Sequence, residues 1–200
     1  MAGVRRIMMV SLGNPGLKYS LTYHSAGHRV LGDIVSHLGP HQPAFSESTV
    51  GGLATLSSVG PRYSLFQSPV LMNISGPWVA KAYKKVLSDH QLMPAELGFI
   101  LVHDDMELDF GMVKIREWDR SARGHNGVKS VKDALKAGSA GKWARVSVGI
   151  GRPEARDRES VTDFVLSKMS SKHDAMLRKN GTAGLASALG DLEGKWGFSA

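Results

Sequence analysis

Polar residues that could do chemistry stand in turns and directly after apolar runs. The segment GNPGLKYSLTYHSAG, Gly13–Gly27, places Asn14 in a Gly/Pro turn after one apolar run, and His24 follows ten residues later. Asp104 follows a second apolar run in VHDD, and Asn126 lies in GHNG. If these segments meet in the fold, a histidine, a carboxylate and neutral amides share one site. The dipeptide Met-Asn in LMNISG would add another amide.

One histidine, one carboxylate and several amides are the components of a general-base site. A histidine titrates near neutral pH and can take a proton from water. A carboxylate fixes the tautomer of the imidazole and stabilises the imidazolium that forms. Neutral amides can bind a carbonyl oxygen and a water with little effect on the pKa of the base. This combination suits hydrolysis of an ester reactive enough to need no metal.

Three other interpretations remain open for these residues. A histidine near a helix start and an asparagine in a Gly/Pro turn are often structural. The histidines and aspartates could supply a metal site, but HxH and HExxH spacings are absent and the candidates come from separate segments. The GNPG turn could hold a phosphate, but it matches neither GxGxxG nor GxxxxGK[ST], and Pro15 lacks an N–H donor.

Composition indicates one globular domain. The chain has 200 residues, is 42% hydrophobic and contains no cysteine, which excludes disulfides and thiolate chemistry. Neither a run of about 20 apolar residues nor a secretory signal is visible, so we expect no membrane association. The net charge is +7, and residues 112–159 contribute +6 of it. This basic region favours a polyanion partner such as nucleic acid, or it is a solvated surface.

Strand and helix patterns alternate along the chain. The predicted strands are Ile7–Leu12, Thr49–Ser57, Tyr63–Gln67, Leu97–Val102, Met112–Arg116 and Trp143–Ile150. The predicted helices lie near residues 30–38, 75–90, 128–135, 161–166 and 171–189. This alternation predicts a single-domain α/β fold over residues 1–200, with a twisted mixed β-sheet flanked by helices. Ligands of such folds bind beyond the carboxyl ends of the parallel strands, where GNPG and HDD stand.

Several motifs occur along the chain: GNPGLKYSLTYHSAG, LMNISG, VHDDMELDFG, GHNGVKS, RVSVGIGRP and, more loosely, FVLSK. Taken together, they make the sequence resemble the bacterial-type peptidyl-tRNA hydrolases. The resemblance covers nearly the whole chain, and the motifs occur in the order expected of the family. It implies an esterase that cleaves the bond between a peptide and the 3′-terminal ribose of tRNA. It also implies a monomer with neither metal nor cofactor, whose partner is peptidyl-tRNA.

The resemblance also implies roles for individual residues. His24 matches the catalytic base and Asp104 its orienting carboxylate. The matches to the residues that bind the peptidyl end, place the water and line the cleft are Asn14, Tyr19, Met72, Asn73 and Asn126. The residues expected to contact tRNA are Arg116, Lys129, Lys132 and Arg145. A mobile lid is expected near residues 151–189.

Two departures from the family pattern concern the basic region. A glycine-rich run usually precedes HNG, but here it is WDRSARG, with Arg120 and Arg123 in place of small residues. The family also holds the tRNA 5′-phosphate with two basic residues. Arg116 matches one of them, whereas the other falls on the neutral Ser147. Either Arg145, Arg120 or Arg123 substitutes for it, or the phosphate is held more weakly.

Two other functions compete with the hydrolase. The fold could serve in a non-catalytic RNA-binding or splicing-associated protein, or in a relative that acts on other esters. The presence of Asn14, His24, Asp104 and Asn126 together favours the hydrolase, because a binding protein needs no such set. We expect a cytoplasmic protein, with the mitochondrial matrix as the alternative.

Overall fold

The computed structural model describes residues 4–135, 142–155 and 157–198. Within these residues, seven strands form one mixed sheet in the order β2-β3-β4-β1-β5-β7-β6. The strands are β1 (Arg6–Ser11), β2 (Ser46–Val50), β3 (Leu53–Val59), β4 (Tyr63–Gln67), β5 (Leu97–Asp105), β6 (Val113–Glu117) and β7 (Lys142–Gly149). The four central strands, β4, β1, β5 and β7, are parallel, and the outer pairings are antiparallel. The predicted α/β fold with a mixed sheet is therefore confirmed.

Helices cover both faces of this sheet. They are α1 (Ala26–Asp33), α2 (Ser75–Asp89), α3 (Asn126–Ala134), α4 (Arg158–Leu166), α5 (Ser171–Met176) and α6 (Thr182–Trp196). Short 3₁₀ turns precede α1 and α2, at Tyr23–Ser25 and Met72–Ile74, and a π-helical turn, Leu177–Gly181, joins α5 to α6. In the described residues, no helix combines the length and apolarity that a membrane crossing requires.

The alternation of side chains along β1 divides the core into two layers. Ile7 and Met9 pack on the side of α1 and α6, whereas Met8 and Val10 pack on the side of α2 and α3. All four side chains are fully buried. A strand that is apolar at every position is expected where helices cover both faces of a parallel sheet.

The predicted strand Thr49–Ser57 is wrong, because it spans two strands. β2 and β3 are joined by Gly51 and Gly52, which have φ values of 61° and 85°. Two consecutive residues with positive φ make the tight turn that two-residue hairpins prefer, and glycine adopts it at no steric cost. A second hairpin, which turns around Gly60-Pro61, joins β3 to β4.

The start of α2 lies so close to α3 that only glycine fits at position 76. A Cβ on Gly76 would lie 2.0 Å from the backbone oxygen of Ser130. We expect Gly76→Ala to lower the free energy of unfolding by about 3 kcal/mol, measured by chemical denaturation. In the control, Gly190→Ala on α6, no atom lies within 4 Å of the added Cβ. That variant should gain about 0.5–1 kcal/mol. Equal stability of the two variants would contradict this packing.

Candidate active site

The carboxyl ends of β1, β4 and β5 bring the polar segments together. The GNPG turn leaves the end of β1, and Leu12 extends the sheet by donating its backbone N–H to Val102 at 2.9 Å. Asn14, in this turn, accepts a hydrogen bond at Oδ1 from the backbone N–H of Met72, at 2.9 Å. The side-chain oxygen of Asn14 is therefore occupied, and its two N–H donors are left for other partners.

A half-buried histidine, His28, packs against the GNPG turn. A Cβ on Gly13 would lie 2.3 Å from Cδ2 of His28, so the turn can pack on this ring only if residue 13 is glycine. Nδ1 of His28 and Oγ of Ser11 form a hydrogen bond of 2.7 Å. Burial lowers the pKa of His28 to about 4, so the imidazole is neutral at physiological pH. His28 therefore adds no charge next to the GNPG turn.

Two histidines share the carboxylate of Asp104. Nδ1 of His24 lies 2.9 Å from Oδ2, and Nε2 of His125 lies 3.0 Å from Oδ1. Asp104 is only 3% exposed, and the ring centroids of the two histidines are 5.2 Å apart. Each carboxylate oxygen therefore has one imidazole partner.

The hydrogen bonds determine which nitrogen carries each proton. Burial alone would raise the pKa of Asp104, but the two histidines outweigh it and hold that pKa below its usual range. The ionised carboxylate only accepts, so His24 donates from Nδ1 and His125 donates from Nε2. Nδ1 of His125 in turn accepts the backbone N–H of Val128 at 3.2 Å, which caps α3. Nε2 of His24 is therefore the nitrogen that can accept a proton.

The same carboxylate alters the basicity of His24. Burial lowers the pKa of His24, but the charge of Asp104 and its hydrogen bond raise it more, and the net result is a pKa above the usual value. The side chain of His24 is 17% exposed, so a water can reach the ring. This arrangement can remove a proton from water and stabilise the imidazolium that results.

A third histidine, His103, packs against His125. His103 is 4% exposed, its Nδ1 donates to the backbone oxygen of Asp104 at 2.8 Å, and its ring meets that of His125 edge-on at 5.0 Å. Burial, followed by the nearby His125, lowers the pKa of His103 to about 3. A neutral ring at this position fills the space behind His125 without a competing charge.

His24 and Asp104 open into a cleft of about 1080 Å³. Its lining includes four of the residues predicted to bind the peptidyl end or line the cleft, Asn14, Met72, Asn73 and Asn126. Tyr19 is not among the described residues that line it, and it is half-buried in the segment that follows the GNPG turn. Val161 and Val165 of α4 form an apolar wall beside His24. Four of the five predicted peptide-side residues thus face one cavity.

The cleft also has basic residues in its lining. Arg116 lines it and forms an ion pair with Asp105, with an N–O distance of 3.2 Å. Arg120 and Arg123 also line it and are exposed. Lys129, on α3, is exposed and lies outside the lining. The cleft therefore joins a histidine–carboxylate site to guanidinium groups in one continuous space.

Arg145, which also lines the cleft, and the half-buried Lys132 both donate hydrogen bonds to the loop 117–124. Arg145 is 3% exposed, and its guanidinium donates to backbone oxygens of this loop, the shortest contact being 2.7 Å to Arg120. Nζ of Lys132 donates to the same Arg120 oxygen at 3.0 Å. Both cations thus hold the loop that carries Arg120 and Arg123 at the cleft.

Ser147 is a buried residue of β7. It is fully inaccessible, and its Oγ lies 3.4 Å from Nε2 of His103. Ser147 also borders the cleft, so the position that the resemblance assigns to a second phosphate-binding cation lies in the cleft wall and carries a neutral, inaccessible side chain here.

Three potential metal ligands converge at the candidate base. One ligand atom each from His24, Asp104 and His125 lies within 4.8 Å of the other two. In the hydrogen-bonded arrangement, however, a proton lies between each imidazole and the carboxylate. A metal bound by these three atoms would have to replace both protons. The expectation that no metal is bound stays a prediction.

In the sequence, His103 and His125 are candidates as neighbours of Asp104 and Asn126 and as possible metal ligands, whereas His28 is not predicted to belong to the site. His125 had a signal, because it precedes Asn126 in a motif directly before a helix. His103 had a similar signal, because it directly precedes Asp104. His28 had none, since its hydrogen-bond partner Ser11 comes from a distant segment.

Known proteins resemble this chain in fold and in sequence. A crystal structure of a variant of peptidyl-tRNA hydrolase from Acinetobacter baumannii superposes with a TM-score of 0.71 at 20% identity, covering 98% of this chain and 95% of that one. That likeness shows the fold. The peptidyl-tRNA hydrolase of Citrifermentans bemidjiense is 38% identical over 174 residues, which are 85% of this chain and 83% of that protein.

A second relative comes from a eukaryote. The probable peptidyl-tRNA hydrolase of Schizosaccharomyces pombe is 35% identical over 167 residues, 82% of this chain and 72% of that protein. The family model described as peptidyl-tRNA hydrolase matches residues 8–192, which include every residue of the candidate site. The chain belongs to the peptidyl-tRNA hydrolase family.

Proposed function

We propose that this protein hydrolyses the ester between a peptide and the 3′-terminal ribose of tRNA, with His24 as general base. The observation that carries the proposal is the hydrogen bond from His24 Nδ1 to the buried Asp104, which leaves Nε2 facing a cleft that arginines also line. A non-catalytic RNA-binding protein would need the arginines but would have no use for this tautomer.

The reaction needs one proton acceptor and one water. Nε2 of His24 takes a proton from the water as its oxygen bonds to the ester carbonyl carbon. The tetrahedral intermediate then expels the ribose 3′-oxygen, which receives that proton from Nε2. The products are a peptide with a free carboxyl group and a tRNA with a free 3′-hydroxyl. Asp104 stays ionised and stabilises the transient imidazolium.

The amides at the cleft have the donors that this intermediate requires. Asn14 has its oxygen occupied by Met72 N–H, so its amide N–H groups are available to the oxyanion or the attacking water. We assign Asn73 and Asn126 to binding of the peptidyl end, and Met72 and Tyr19 to its apolar and aromatic contacts. Because these groups are uncharged, they orient substrate with little effect on the pKa of His24.

We assign the basic residues at the cleft to the tRNA backbone. Arg116 and Lys129 would contact phosphates directly. Arg145 and Lys132 would contribute by holding the loop 117–124, since their cationic groups already donate to its carbonyls. Neither a metal nor a cofactor has a part in this mechanism.

The proposed function is tested by release of free tRNA from N-acetyl-aminoacyl-tRNA, a minimal peptidyl-tRNA. We expect turnover of this substrate and far slower turnover of aminoacyl-tRNA with an unblocked amine. Tight binding of both without turnover would favour the RNA-binding alternative. Turnover of small esters but not of the tRNA substrate would favour a relative acting on other esters.

The phosphate contact proposed for Arg116 should be visible in the salt dependence. Phosphate binding releases counterions, so affinity falls as salt rises. Arg116→Ala should raise KM for tRNA substrates and reduce the slope of log KM against log salt by roughly one. Its kcat should change little, because a contact far from the ester is made equally in the ground and transition states. Steady-state kinetics at four salt concentrations measure both quantities.

Arg5→Ala is the matched control for this measurement. Arg5 is also paired with a carboxylate, that of Glu96 at 3.3 Å, but it precedes β1 and therefore lies at the amino ends of the parallel strands, opposite the candidate site. It should leave KM and the salt slope unchanged. If Arg116→Ala and Arg5→Ala behave alike, Arg116 makes no phosphate contact.

A further inference from the structure

The turn that carries His24 is bonded to the chain between α4 and α5. The backbone N–H of Tyr23 donates to the oxygen of Ser167 at 3.2 Å, and that of Met169 donates to Leu21 at 2.9 Å. An antiparallel bridge lies between these two bonds. Residues 21–23 and 167–169 therefore form a short two-stranded pairing that ends directly before the candidate base.

The side chain of Tyr23 strengthens this connection. Its hydroxyl and Nδ1 of His173 form a hydrogen bond of 2.7 Å, and its ring stacks on Phe164 of α4 with centroids 4.7 Å apart. The ring of His173 in turn stacks on Phe110 at 4.3 Å. Burial raises the pKa of Tyr23, so its hydroxyl keeps its proton and can donate to His173.

The first turn of α5 also binds the chain on the other side of His24. Asp174 accepts two hydrogen bonds of 2.8 Å from Arg29, which lies on α1 five residues after His24. The two neighbours on α5, His173 and Asp174, thus hold the chain both before and after the base. Bidentate arginine–carboxylate pairs fix orientation as well as distance.

Helix α4 lines the cleft with some of its side chains and contacts Tyr23 with another. Val161 and Val165 line the cleft beside His24, whereas Phe164 packs on Tyr23. A rotation of the Tyr23–Ser25 turn would move the His24 ring relative to Asp104, which is held by β5 and by His125. The length of the His24–Asp104 hydrogen bond therefore depends on how Tyr23 is held.

We propose that Tyr23 and His173 are positioning residues that set the geometry of His24 against Asp104. The inference rests on the proposed function for its catalytic consequence, but the geometry it describes exists in the free protein. It gives α5, which contributes no residue to the lining of the cleft, a part in the reaction.

The first test uses kinetics of N-acetyl-aminoacyl-tRNA hydrolysis. Tyr23→Phe keeps the stacked ring and removes the hydroxyl, and His173→Phe keeps the stack on Phe110 and removes the acceptor. Small misplacements of a catalytic group are costly, so we expect each variant to lower kcat roughly three- to tenfold with KM within about twofold. The double variant should lose no more than either single variant, because the two residues act through one bond. His173→Asn, which offers an oxygen near the position of Nδ1, should recover most of the loss.

Tyr63→Phe is the matched control. Tyr63 is also buried, and its hydroxyl donates to a carboxylate, that of Glu193. It begins β4, however, and so lies at the amino ends of the parallel strands, away from the cleft. It should lose comparable stability and keep wild-type kcat. If Tyr23→Phe lowers kcat no more than Tyr63→Phe, or if the double variant loses the product of both single effects, the positioning role is wrong.

A second readout separates this inference from the proposed function. In the ligand-free protein, NMR titration of the His24 ring reports its pKa, and the Nδ1–H resonance reports its bond to Asp104. Tyr23→Phe should shift both, whereas Tyr63→Phe should shift neither. A shift in a protein that hydrolyses no peptidyl-tRNA would support the positioning role and refute the function. Unchanged resonances in Tyr23→Phe would overturn the positioning role even in an active enzyme.

Discussion

Replacing His24 with alanine should lower kcat for N-acetyl-aminoacyl-tRNA by ~10²- to 10⁴-fold or more, because general-base assistance typically contributes this much. The substituted side chain is partly exposed, and Asp104 keeps its bond to His125, so the fold should persist. Affinity for tRNA should change little, since the phosphate contacts proposed for Arg116 and Lys129 do not involve His24. Single-turnover hydrolysis and equilibrium binding measure the two effects separately.

His37→Ala is the control for this substitution. His37 is exposed and lies in the 3₁₀ turn that follows α1, so its loss tests for a general effect of removing a histidine. It should keep full activity. A His24→Ala variant of normal stability that retained the wild-type rate would falsify the assignment of the base.

Asp104→Asn should lower kcat by about 10²-fold, less than His24→Ala, because the proton acceptor itself remains. The asparagine presents one oxygen and one NH₂ group where Asp104 presented two acceptors. It can therefore satisfy only one of the two imidazole N–H groups in their present tautomers. Thermal unfolding of the variant should be followed in parallel, since the substitution is made in a fully buried position.

The pH profile distinguishes this effect from general damage. The charge of Asp104 raises the pKa of His24, so its removal should lower that pKa. The base is active when deprotonated, and the acidic limb of the kcat/KM profile should therefore move to lower pH in Asp104→Asn. A limb that stays in place, with only the plateau reduced, would mean that Asp104 does not govern the ionisation of the base.

Residues at strand ends were the predictable part of this site. Asn14 and Asp104 each follow a buried run, and the carboxyl ends of neighbouring parallel strands must lie together, so local pattern alone placed them. The fold class followed from the same alternation of strands and helices. The division of residues 49–57 into two strands was missed because the Gly51-Gly52 turn lies inside a run of β-forming residues.

Burial of charged and polar side chains was not predictable in the same way. Arg145 and Ser147 lie on the same face of β7. Nothing local distinguishes an arginine that faces tRNA from one that donates to a neighbouring loop. The answer depends on the path of residues 117–124, which are brought to Arg145 by the antiparallel pairing of β6 and β7. The second histidine on Asp104 is likewise a product of tertiary structure, since His125 reaches it from the start of α3.

Two neutral imidazoles on one ionised carboxylate carry a single net negative charge before the reaction. When His24 takes its proton from water, the group becomes electrically neutral, and the negative charge moves outward onto the substrate carbonyl. In this step the net charge of the two histidines and Asp104 changes from −1 to zero, so no net positive charge develops in a medium of low dielectric constant. Because this transfer occurs over a few ångströms, well inside the screening length of physiological salt, dissolved ions should scarcely affect the chemical step. Ionic strength would then govern how much tRNA is bound and leave the turnover of bound substrate unaltered.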